Sequence, residues 1–71
     1  MSRLAVIGEP ARVQGFALAG AEVCPAAEPD AVRAAWAGLA ADVAVVVLTP
    51  AAADALAATP VGDRLTVVMP T

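Results

Sequence analysis

A chain of 71 residues has room for one domain with a small core, and an apolar content of 61%, much of it alanine, gives that core little area per residue. The four basic residues, Arg3, Arg12, Arg33 and Arg64, are scattered among seven acids for a net charge of −3, which argues against the clustered basic face that nucleic-acid binding needs. Cys24 is the single cysteine, so no internal disulfide can form; a reducing, cytoplasmic compartment fits, with Cys24 as a small buried hydrophobe.

The opening MSRLAVIGEP holds too short an apolar stretch for a signal peptide. Arg3 to Gly8 reads as a buried parallel strand, Leu4-Ala5-Val6-Ile7 ending abruptly at glycine. Glu9 and Pro10 open a helix, since proline suits the first helical position and an acid there faces the positive end of the dipole. That helix is expected to run from Pro10 to Ala19 and to close at Gly20, with Val13, Phe16 and Ala17 on the face toward the sheet.

Glu22 to Pro25 allows a short second strand. Glu28, Pro29 and Asp30 mark a second helix start, continued by Ala31 to Ala41, with Val32, Trp36 and Leu39 on one stripe. Val43 to Leu48 is the clearest strand. Its β-branched run without alternation requires cover on both faces and a central place in the sheet. Thr49 as cap and Pro50 as first residue open a third helix filled by Ala51 to Ala58, and Leu65 to Met69 forms the last strand after Gly62-Asp63. The most apolar window, Trp36 to Ala53, holds Asp42 and Pro50 and falls short of the roughly 20 strongly apolar residues of a membrane span.

The order βαβαβαβ implies right-handed crossovers and a parallel sheet of four strands with flanking helices, an α/β, flavodoxin-like arrangement in one domain over residues 1–71. Such sheets place ligands beyond the carboxyl ends of their strands, here Gly8-Glu9-Pro10, Pro25-Ala26, Thr49-Pro50 and Pro70-Thr71. A dinucleotide site wants a glycine-rich turn; only Gly8 is present, Glu9 repels phosphate and Pro10 removes an amide donor. A phosphoacceptor receiver needs an acidic pair after the first strand, an aspartate after the third and a lysine. Here Glu9 stands alone, Thr49 takes the third position, and lysine is missing from the chain. Histidine is missing too, and with it the usual general base, metal ligand and triad partner. These residues point to a protein without catalytic, cofactor or metal sites. Asp30, Asp42, Asp54 and Asp63 read as caps and solvated charges.

The stretch VIGEPARVQGFALAG, Val6 to Gly20, resembles the opening of the F subunit of vacuolar-type and archaeal-type rotary ATPases. Ile7-Gly8-Glu9, Gly15-Phe16 and Leu18-Ala19-Gly20 match its Ile-Gly-acid turn, Gly-Phe pair and Leu-Ala-Gly ending. Asp42 to Val46 with Leu48-Thr49, and Val67 to Thr71, are similar to its third and fourth strands. The resemblance implies a non-catalytic central-stalk subunit of an ATP-driven or ATP-synthesising proton or sodium transporter. It would dock on the coiled-coil D subunit, peripheral to the membrane, with ATP chemistry left to other subunits. It also implies a C-terminal helix after the fourth strand, which this sequence is expected to lack, against any braking role. Gly15, Phe16 and Leu18 are the expected partner-binding residues. For Gly15, close packing of helix on sheet is the favoured reading, since a mid-helix glycine costs about 0.5–1 kcal/mol. A flavodoxin-like or receiver-like module sensing a small ligand or phosphate at the strand ends stays open as the alternative.

Overall fold

In the first strand, β1 (Arg3–Gly8), burial begins at Ala5 and is complete through Gly8, and the strand runs straight into the Pro10 helix start. The computed structural model describes residues 3–15, 20–60, 62 and 64–70. Within them β1 is followed by α1 (Pro10–Val13), β2 (Glu22–Pro25), α2 (Pro29–Ala37), β3 (Val43–Leu48), α3 (Pro50–Ala55) and β4 (Leu65–Val68). The strands form one parallel sheet of order β2-β1-β3-β4, the α/β flavodoxin-like topology that the alternation predicts.

Each helix carries proline in its first turn, and none of the three uses the proline N–H it lacks. Their far ends come earlier than alanine content suggests. The α1 helix stops at Val13, and Gln14 and Gly15 continue it as a tighter 3₁₀ turn. The α2 helix ends at Ala37 because Gly38 follows, and the Leu39 N–H then bonds to the Trp36 carbonyl, folding Leu39 into the core. The α3 helix ends at Ala55 where Leu56 turns inward. Gly20 has φ of 84°, the left-handed conformation expected of it. The first helix expected through Ala19 cannot be followed over Phe16 to Ala19, which lie outside the described residues.

Among the described residues the two faces of the sheet are unequally covered. Ala5, Ile7, Val46 and Leu48 pack with Val32, Trp36 and Leu39 and with Ala52 and Leu56, the helices α2 and α3 sharing this side. Cys24 is only half-buried, packed against the same cluster. On the other side α1 lies over β1 and β2, and Val6 and Val13 are fully buried. Leu4, Leu65 and Val67 are exposed, and the register puts Leu4, Val45 and Leu65 in one row and Val6, Val47 and Val67 in the next.

Between Arg3 and Leu4 the pairing with β3 skips from Val43 to Val45, so Ala44 is an extra residue that lets Val43 and Val46 both face the core. Arg64 closes this end of the sheet: its guanidinium donates to the carbonyls of Val43 and Ala40, both at 2.9 Å, and stands 5.4 Å from the centre of the Trp36 ring.

Candidate functional site

In this strand order the chain turns left from β1 and right from β3, so the topological switch point lies between their carboxyl ends. Gly8 and Glu9 end one strand and Thr49 the other. The Thr49 N–H donates to the Ile7 carbonyl at 3.2 Å, and its hydroxyl accepts from the Ala52 N–H at 3.3 Å, as expected of a helix cap. The same hydroxyl donates to Glu9 Oε1 at 2.5 Å. Thr49 is fully buried, and its side chain presses on Gly8.

Glu9 precedes α1 but makes no cap bond of its own. Its carboxyl is held below the usual carboxylate value first by the Thr49 hydroxyl, then by its own backbone amide, against desolvation and with a lesser contribution from Arg12. Arg12 reaches across the same end of the sheet and donates to the Pro70 carbonyl at 3.0 Å. Side chains of the chain itself thus fill the space between the β1 and β3 ends and bridge it to the end of β4. At the opposite end lies a shallow depression lined by Ala41, Val43, Ala44 and Arg64, and there Arg64 is engaged with backbone carbonyls.

Of the expected partner-binding residues, Gly15 is exposed, and a β-carbon there would meet nothing within 4 Å. The favoured reading of Gly15 as a close-packing glycine is therefore corrected: α1 has ended two residues earlier and the sheet does not crowd this position. Phe16 and Leu18 lie outside the described residues. The Glu9–Thr49 pair and the Arg12–Pro70 link were not foreseen; strand adjacency, not spacing in the chain, brings them together.

Among the described residues no group of three or more acidic, cysteine or histidine side chains is placed to hold a metal ion. No helix in the described residues is long and apolar enough to cross a membrane. A family model described as ATP synthase (F/14-kDa) subunit matches residues 4–70. The chain belongs to the ATP synthase (F/14-kDa) subunit family. This F subunit of the vacuolar-type and archaeal-type rotary ATPases is a non-catalytic subunit of a larger complex, so partner subunits are part of its biology. A search of curated proteins finds no match.

Proposed function

We propose that this F subunit is a central-stalk element that docks on the coiled-coil D subunit of a rotary ATPase and turns with it. The family match over residues 4–70 carries this reading. It is supported by a switch point bridged by the chain's own Thr49 and Glu9 side chains and by a sheet face on which Leu4, Leu65 and Val67 stay exposed. Exposed Gly15, with Phe16 and Leu18, belongs to the docking region in this reading. The complex sits at the cytoplasmic face of the membrane, where F is peripheral.

A partner that binds only the folded state stabilises it by about 2.7 kcal/mol at a hundredfold excess over Kd. For a domain this small, at about 4–8 °C per kcal/mol, that raises the melting temperature by more than about 10 °C. Co-expression with a coiled-coil D subunit should give co-elution on size exclusion and this shift. Separate elution with unchanged melting overturns the proposal.

A further inference from the structure

Three of the four exposed large apolar side chains among the described residues lie on β4: Leu65 is 61% exposed, Val67 46% and Val68 52%. They do not share a face. Leu65 and Val67 are in register with Val45 and Val47, whereas Val68 is in register with Leu48 on the α2 and α3 side. A helix laid on either face covers only part of this set, whereas a strand added alongside β4 sends side chains to both faces.

The backbone has the matching vacancy. The Met69 N–H donates to the Leu48 carbonyl at 2.8 Å, so by alternation Leu65 and Val67 turn their amides toward β3, and Thr66 and Val68 turn theirs outward. Among the described residues no strand pairs with that side. Pro70, next in the outward set, has no N–H, and its carbonyl is held by Arg12. The free ladder is therefore Thr66 and Val68. None of the devices that blunt an edge, a charge, proline or bulge within the strand, occurs in Leu65–Val68.

We infer that β4 is a self-pairing edge: in the free chain it joins β4 of a second copy, antiparallel, about a two-fold axis through Val67. In this register Thr66 faces Val68 of the second copy and exchanges both hydrogen bonds with it, Val67 faces its equivalent, and Leu65 faces Met69. Shifting the axis to Thr66 sets Val68 against Arg64 and loses the apolar match. Between Leu65 and Met69 the seam carries no charged side chain, so two chains of net charge −3 meet there without like-charge contact. Each copy contributes only about a few hundred Å² of apolar surface, less than the roughly 800 Å² per partner of a stable complex. The dimer is accordingly weak and concentration-dependent.

Sedimentation equilibrium of the full chain from about 20 μM to about 1 mM tests this by mass action. The average mass should climb from the monomer value toward twice that value, and Val67→Lys, at an exposed site, should hold it at the monomer value with an unchanged melting curve. In a Cys24→Ser background, Val67→Cys should cross-link on mild oxidation, because facing residues of a non-hydrogen-bonded pair suit a disulfide, whereas Val68→Cys should not. A monomer throughout the range overturns the inference and leaves the edge to a strand from another protein. Cross-linking through Val68→Cys, or through Thr66→Cys in place of Val67→Cys, overturns it equally.

Discussion

The γ-methyl of Thr49 stands 2.2 Å from the place a β-carbon at Gly8 would occupy, with the Thr49 hydroxyl oxygen at 2.7 Å and its β-carbon at 2.9 Å. These contacts are far inside van der Waals distance, so Gly8 is glycine because β3 delivers a threonine against it, not because its backbone needs the left-handed region. Gly8→Ala should destabilise the fold by about 1–3 kcal/mol through overpacking. Combined with Thr49→Ala it should cost less than the sum of the single changes, since the methyl and hydroxyl are then gone. Additive losses in urea melts of the double-mutant cycle would show that the crowding is relieved elsewhere.

Thr49→Val keeps the shape of the buried side chain but leaves the Ala52 N–H without its acceptor and Glu9 without its donor. A loss of about 0.5–2 kcal/mol, in the range of a lost cap, is expected in chemical denaturation.

The pH dependence follows from the direction of the Glu9 shift. Its folded-state value lies below the ordinary 4.5, so the stability it adds is fully present above that value and is lost as pH falls through the folded value. Denaturation midpoints of wild type and Glu9→Gln should therefore differ at neutral pH and converge in acid. A gap that is constant from neutral pH into acid contradicts the Thr49–Glu9 bond as its source.

Trp36 is nearly fully buried, and Arg64 joins its ring to the Val43 and Ala40 carbonyls. Trp36→Ala should cost about 3–5 kcal/mol. Arg64→Lys keeps the charge but cannot span both carbonyls, and a loss of about 1 kcal/mol is expected in the same thermal melts. Equal stability of Arg64→Lys and wild type would show that the fork is not needed.

Burial, and then the charge of Glu22, push the Cys24 thiol up from its ordinary value. At mildly alkaline pH the folded chain should react with iodoacetamide more slowly than the same chain in urea. Equal rates would place the thiol in open solvent.

Strands were the more legible part of this sequence. Arg3–Gly8, Glu22–Pro25 and Val43–Leu48 fall where the apolar runs put them, since each run is bounded by glycine, proline or a charge. Helix ends were not. Alanine favours helix at every position, so composition carried α2 on to Ala41 and α3 to Ala58, whereas Gly38 and the inward turn of Leu56 end them earlier. The extra residue at Ala44 leaves no mark in a run of small and β-branched residues, yet it sets which valines reach the core. Thr49 could be read as a cap from its place before Pro50, but its bond to Glu9, 40 positions away, exists only because β1 and β3 are neighbours.

Pro10, Pro29 and Pro50 each stand in the first turn of a helix, Pro10 and Pro29 exposed and Pro50 half-buried. Their effect is on the disordered chain: a ring that already holds φ near its helical value leaves fewer conformations to surrender on folding, about 0.4–1 kcal/mol at each compatible site. A core this poor in large side chains is thus sustained partly from outside itself, by restricting the state it competes against. Truncating buried residues measures the packing but is blind to this share, which only replacement of the three prolines can expose.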